Sequence, residues 1–148
     1  MGKVDETARK LGQALTKHDA DAAMSLYASE AVAHDPFYPE PLRGKALRED
    51  NENFFRAFPD LRVDILTVIE QDETNGVLEM RFSGTNTGPM ASPQGEMPPT
   101  NKRVDLKGAA IIRLDRNGKI VEERRYYDTG AMMRQLGLMP EPAAMAAH

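Results

Sequence analysis

The sequence predicts an α+β fold, a curved and mostly antiparallel sheet with helices packed on one face and room for a cone-shaped pocket. Three observations predict it. Apolar residues recur at helical spacing only before Leu61, apart from one short segment near the C-terminus. Strand-like alternation takes over from Leu61 and returns in four longer stretches. Gly84, Gly108 and Ala110 then withdraw volume from inward-facing strand positions, where a close-packed interior either admits a large neighbour or leaves a hollow.

In chain order, Val4, Ala8, Leu11 and Leu15 mark an amphipathic first helix. His18-Asp19 ends it on an exposed turn, and Asp19 or Asp21 can cap a second helix carrying Ala22, Ala23, Leu26 and Tyr27. A short strand, Ala31–His34, stops at Asp35-Pro36, a turn pair that opens the proline-rich loop PFYPEP. A third helix spans about Lys45–Ala57. Its stripe of Leu47, Phe54, Phe55 and Phe58 also carries Asn51, an amide that needs either partners in the core or a wet cavity.

Leu61–Ile69 presents Leu61, Val63, Ile65 and Ile69 on one face. Val77–Asn86 presents Leu78, Met80 and Phe82, and Arg103–Leu114 presents Val104, Leu106, Ile112 and Leu114 around Gly108 and Ala110. Thr87–Asn101, between the last two, suits a lid or a plain flexible loop, with Met90 and Met97 as adaptable apolar contacts or ordinary loop residues. Asn117-Gly118 is a hairpin turn signal. The strand after it alternates Ile120, Glu122, Arg124, Tyr126 and Asp128 against Val121, Glu123, Arg125 and Tyr127. Neither set is apolar, so this strand lines something wetter than a core. At Asp128 the period changes to a short helix with Ala131, Met132, Gln135 and Leu136, closed by Gly137.

Length suits one domain, placed at residues 1–138, with 139–148 as a frayed low-complexity tail. A net charge of -4 argues against nucleic acid or an anionic membrane as partner. Without cysteine there is no disulfide framework, which fits a cytoplasmic setting, and no apolar run spans a bilayer. The three histidines are dispersed, so no transition-metal cluster is expected, and neither phosphate-binding glycine motifs nor a nucleophile elbow occurs. Carboxylates, Tyr, Asn, Arg and His34 around an apolar pocket remain. They suit proton transfer on a bound organic molecule, with no cofactor and no metal.

His34-Asp35-Pro36, Phe58-Pro59-Asp60, Phe82-Ser83-Gly84-Thr85 with Thr87-Gly88, Pro98-Pro99-Thr100, Gly118-Lys119-Ile120 with Glu122, Tyr127-Asp128 and Gln135-Leu136-Gly137 occur in this order. Together the pattern resembles the SnoaL-like polyketide cyclases of the nuclear transport factor 2-like superfamily. The resemblance implies a cone-shaped α+β fold, with N-terminal helices packed on the concave face of the sheet around a pocket. It also implies a homodimer and a small hydrophobic or aromatic carbonyl substrate. Family cyclases close a ring by intramolecular aldol condensation with an aspartate as acid/base, which the resemblance maps onto Asp128. Asn86 stands where the family often has His, and Arg124 where many relatives carry Trp.

Asp128 with His34 is thus the expected catalytic pair. Asp128 just before a helix is equally suited to capping it, and His34 to the surface. Asn51, Tyr126, Arg124, Asn86, Phe54 and Ala110 are the expected substrate contacts. Arg124 either stabilises an enolate or pairs with Glu122, and Tyr126 either bonds a carbonyl or is a partnered core tyrosine. Ketosteroid isomerase-like chemistry, epoxide hydrolysis and ligand carriage without turnover are the alternatives on such a scaffold. Hydrolysis needs an Asp–Arg–Asp set with Tyr and Asn, for which no second aspartate stands out. A dimer contact is expected on the outer sheet face through Ile111 and Tyr127.

Overall fold

The N-terminal apolar spacing folds as α1 (Lys3–Thr16), with Val4, Ala8 and Leu11 buried. Asp5 and Glu6 lie in its first turn, where carboxylates complement the helix dipole. The computed structural model describes residues 2–140, so 141–148 of the expected tail lie outside the described residues. His18 ends the turn in a left-handed conformation, φ 56°. It is not an exposed helix end: its ring stacks on Phe55 at 4.7 Å and its Nε2 lies 3.1 Å from the Leu61 carbonyl. Asp19 caps α2 (Ala20–Met24) by accepting from the Ala22 N–H at 2.9 Å.

β1 (Tyr27–His34) begins earlier than the sequence suggests and leads through the proline-rich loop to β2 (Leu42–Arg43) and α3 (Lys45–Ala57). Then come β3 (Arg62–Glu70), β4 (Asn75–Thr85), a small hairpin of β5 (Met90–Ser92) and β6 (Gly95–Met97), β7 (Arg103–Leu114), β8 (Ile120–Tyr127) and α4 (Thr129–Gln135). Six strands form one sheet in the order β2-β1-β8-β7-β4-β3. Among the described residues only β1 and β8 are parallel neighbours in it; the other pairings are antiparallel. This is the expected α+β arrangement. No helix among the described residues is long and apolar enough to cross a membrane.

α1 presses against β3 because Gly12 has no side chain: a Cβ there would come within 2.8 Å of Ile65 Cγ1. The interior divides into two apolar clusters, one around Val4, Leu47, Leu78, Ile112 and Ile120, the other around Phe58, Val104, Met132 and Leu136. Burying each large apolar side chain contributes about 1.5–3 kcal/mol.

Two bulges decide which side chains face this interior. In β3, Ile65 pairs with Met80 but Thr67 with Glu79, leaving Leu66 as an extra residue. Val68 therefore packs inward, whereas Ile69, expected on the inner face, is 62% exposed. In β8, Leu114 of β7 pairs with Ile120 but Arg113 with Glu122, so Val121 is extra. A bulge inserts one residue and reverses every side chain beyond it.

Candidate functional site

Beyond the Val121 bulge, the inward residues of β8 are Glu123, Arg125 and Tyr127, set across from Ile112, Ala110 and Gly108 of β7. Ala110 and Gly108 leave space on the inner face beside the Arg125 guanidinium and the Tyr127 ring. A Cβ on Gly108 would meet Tyr127 Cβ at 3.1 Å. The small residues noted in the sequence therefore do accompany large neighbours, and part of the expected hollow is occupied by these polar side chains.

Arg125 is the hub. Its Nη1 donates to Asp35 Oδ2 at 3.0 Å and to Asp50 Oδ2 at 2.8 Å, and its Nε donates to Glu123 Oε2 at 3.0 Å. The three carboxylate side chains are each 3% exposed and that of Arg125 14%. Three tyrosines complete the cluster. Tyr127 donates its hydroxyl to Asp35 Oδ1 at 2.7 Å, Tyr27 donates to Glu123 Oε1, and Tyr38 of the proline-rich loop lies beside Asp50. Asp35 also takes the turn role its sequence context suggested, accepting from the Phe37 N–H at 2.8 Å.

Burial opposes ionisation of every group here, and charge decides which ones resist it. Burial raises the Asp50 carboxyl above its ordinary range and the nearby Asp35 adds to this, while Arg125 and Tyr38 pull the other way. Arg125 would lose affinity for its proton on burial alone, but Glu123, Asp50, Tyr27 and Asp35 hold it firmly charged. Tyr127 and Tyr27 are pushed well up by burial and by Asp35 and Glu123 respectively, so both hydroxyls stay neutral donors. Asp50 Oδ1 is buried without a hydrogen-bond partner.

A cavity of about 110 Å³ lies against this cluster, between the two apolar clusters. Leu11, Leu15, Phe54, Phe55, Val63 and Phe82 supply apolar wall, and Tyr27, Asp35, Asn51, Glu123, Arg125 and Tyr127 supply its polar end. Asn51 has only a long 3.9 Å contact from its amide nitrogen to Met24 Sδ, which leaves the amide available to a ligand oxygen. Among the described residues no His, Asp and Glu grouping is disposed to hold a metal ion.

The structure brings together two of the sequence-predicted residues, Asn51 and Phe54, as cavity wall. Tyr126 touches the rim but is 55% exposed. His34 and Arg124 pair across the outer side of β1 and β8, both near Glu122: Arg124 donates to it at 3.0 Å and His34 Nε2 lies 3.8 Å away. Asp128, with its side chain 67% exposed, lies outside the cavity and caps α4 by accepting from the Ala131 N–H at 2.9 Å. The Val121 bulge is the physical reason: it turns the Glu122–Arg124–Tyr126 set outward. Asn86 is fully buried away from the cavity, where its amide donates to Ala57 O and Gly88 O and its oxygen accepts from the Thr100 N–H and hydroxyl. It pins the 87–101 loop. Ala110 is fully buried in the core and does not line the cavity. Met90 and Met97 pack into the second apolar cluster and are no part of that wall.

Sequence reasoning missed Arg125, Asp50, Asp35, Glu123 and Tyr127 as site residues. Asp50 carried a helical signal, since Leu47, Asp50, Asn51 and Phe54 stand at i, i+3, i+4 and i+7 on one stripe, and the polar alternation of β8 pointed to a wet wall without saying which side forms it.

A six-stranded curved sheet with helices over a cavity defines the fold class, a nuclear transport factor 2-like cone. The model of the SnoaL-like polyketide cyclase family matches residues 5–136, and the chain belongs to that family. Solved structures agree in fold. AclR of Streptomyces galilaeus, named as a candidate hydroxylase, superposes with a TM-score of 0.80 at 18% identity, covering 97% of this chain and 92% of that one. A protein of Jannaschia sp. CCS1, named as a candidate SnoaL-like polyketide cyclase, gives 0.76 at 22% identity over 93% and 94% of the two chains. The epoxide hydrolase/cyclase-like enzyme SalBIII, named for a role in pyran ring formation in the polyether salinomycin, gives 0.70 at 19% identity over 87% and 93%. Comparison with curated proteins gives no match.

Proposed function

We propose that this protein is a cofactor-free acid/base enzyme acting on a small hydrophobic molecule that carries a carbonyl or strained ether oxygen. One observation carries the reading: a buried Asp35–Arg125–Asp50 set abuts an apolar cavity whose polar wall includes Asn51 and Tyr127. Asn51, whose amide has no close partner, is the group within the wall that can hold a developing oxygen anion, while the Tyr127 hydroxyl is engaged with Asp35. Arg125 fixes the two aspartates; Asp35, the one that lines the cavity, exchanges the proton with the bound molecule, and Asp50 behind it, whose carboxyl is raised by burial, supports it through Arg125. This moves the acid/base role from Asp128 to the interior pair.

A second reading, hydrolytic opening of an epoxide, is favoured by the same set, because the second aspartate that reaction needs is now Asp35 or Asp50. The test follows two signals with simple probes. One is deuterium uptake next to the carbonyl of cyclic ketones in D2O; the other is incorporation of 18O from water into diols formed from small epoxides. We expect one of the two, abolished in Asp35→Asn and Asp50→Asn. Neither signal over a broad probe set, with saturable binding in the cavity, places the protein among ligand carriers instead.

A homodimer on the outer sheet face stays part of this proposal, with Tyr126 in place of Tyr127 beside Ile111. Tyr127 turns inward, whereas Tyr126 shares the outward side with Ile111. A dimeric mass by light scattering at micromolar concentration is expected, and a monomeric mass removes it.

A further inference from the structure

The charges around the cavity do not balance. Asp35, Asp50 and Glu123 surround a single guanidinium, a formal charge of minus two with Arg125 as the one cation among the described groups in contact. The other titratable groups facing them are Tyr27, Tyr38 and Tyr127, all neutral donors. Net charge buried in an apolar surrounding is costly unless a counter-charge or a proton joins it. Asp50 Oδ1, within this cluster and almost wholly buried, accepts no close hydrogen bond, although the Tyr38 hydroxyl lies beside the carboxyl.

Arg125 offers an anionic ligand little. Its Nε and Nη1 donate to the three carboxylates, and its Nη2 points back at Glu123 Oε1 at 3.4 Å. Aromatic rings, Phe54, Phe55, Phe82, Tyr27 and Tyr127, share the rest of the cavity wall with aliphatic side chains such as Leu11, Leu15 and Val63. Aromatic faces attract cations, and more so where water is excluded. The volume, about 110 Å³, is below the roughly 150 Å³ of an engineered apolar cavity that accepts benzene.

Resting on the reading that this cavity is the substrate site, we infer that its preferred occupant carries a compact hydrophobic cation, a substituted ammonium group. The ammonium sits against the wall formed by Asp35 and Glu123, with its alkyl groups on the aromatic rings, and supplies the positive charge that the cluster lacks. Asp50, whose carboxyl burial raises, releases its proton when the cation binds. Affinity for the cation therefore rises with pH as Asp50 gives up that proton, while affinity for an uncharged ligand of the same shape does not.

Tetramethylammonium and tert-butanol each have fewer non-hydrogen atoms than benzene, are alike in shape and differ in charge. Each is titrated into the purified protein, following ring resonances of Phe54 and Tyr27 and the heat of binding in buffers of different ionisation enthalpy. At about pH 8 tetramethylammonium is expected to bind on the order of ten-fold more tightly than the alcohol. The advantage should shrink as pH falls to about 5, and the heats should report proton release. Glu123→Gln, which removes one negative charge and keeps the shape, should reduce the advantage several-fold. Should that variant not fold, the pH series on the unaltered protein decides alone. Equal or tighter binding of the alcohol overturns the inference and leaves the cavity as the substrate site. If neither compound shifts a cavity resonance, both the inference and the assignment of the cavity fall.

Discussion

The two sides of β8 carry the same chemistry in different surroundings. Its sequence reads Glu122-Glu123, Arg124-Arg125, Tyr126-Tyr127, so each side of the strand holds one Glu, one Arg and one Tyr. On the outer side Arg124 bonds Glu122 with its side chain 41% exposed, and Tyr126 meets solvent. On the inner side Arg125 joins Glu123, Asp35 and Asp50, and Tyr127 bonds Asp35. An ion pair in water is screened and contributes about 0–1 kcal/mol, whereas removing one member of a buried network leaves charges without partners or water. The lesson is that residue type did not set the role of either triplet; the dielectric around it did.

The sharpest way to break the comparison is to remove each arginine. Arg125→Met leaves three buried carboxylates without their cation and is expected to destabilise the fold by about 3–5 kcal/mol in urea denaturation. Arg124→Met should change stability by less than about 0.5 kcal/mol. Similar losses in both would mean that the inner network is as well hydrated as the outer pair.

Activity gives the next largest contrast. Asp35→Asn and Asp50→Asn are expected to lower turnover of whichever probe reacts by about 10²–10⁴. His34→Gln and Asp128→Asn, on the outer side and at the helix cap, should stay within about two-fold of the unaltered rate. A large loss in Asp128→Asn with intact stability would return the acid/base role to that residue.

The pH dependence of stability sharpens the inner side further. Burial raises the Asp50 carboxyl above its unfolded value, so the folded state binds this proton more tightly than the unfolded chain. Its contribution is fully present below the unfolded value near 3.8 and is lost as pH rises through the raised folded value. Asp50→Asn removes that loss, so denaturation midpoints should fall less steeply with pH in the variant than in the parent over this window. Parallel curves would show that Asp50 does not titrate there.

The smallest effect concerns the end of the strand. Asn caps a helix about as well as Asp, so Asp128→Asn should leave the melting temperature nearly unchanged, while Asp128→Ala should cost about 1 kcal/mol. Equal losses in the two would argue that the Asp128 charge, near Arg134 at 3.9 Å, matters more than its bond to the Ala131 N–H.

Local sequence by itself determined the longer elements, but not β2, the β5–β6 hairpin or the start of β1 at Tyr27. Val4, Ala8 and Leu11 set α1, Lys45–Ala57 was legible as α3 from its stripe, and Arg103–Leu114 from its alternation, because those patterns depend on neighbours a few residues away. The stripe of α3 placed Asn51 and Phe54 on the cavity wall for the same reason. The tertiary structure decided which side of a strand is inside. Leu66 and Val121 are extra residues only relative to the partner strands, so no alternation within β3 or β8 shows that Ile69 turns out and Arg125 turns in. The buried Asp35–Arg125–Asp50 set was hidden by distance as well. Asp35 and Asp50 stand 90 and 75 residues from Arg125 in the chain, and only the packing of α3 and the proline-rich loop onto the sheet brings the three together. A carboxylate beside a proline and one within a charged helix look solvated in sequence; burial against a single guanidinium makes them a site.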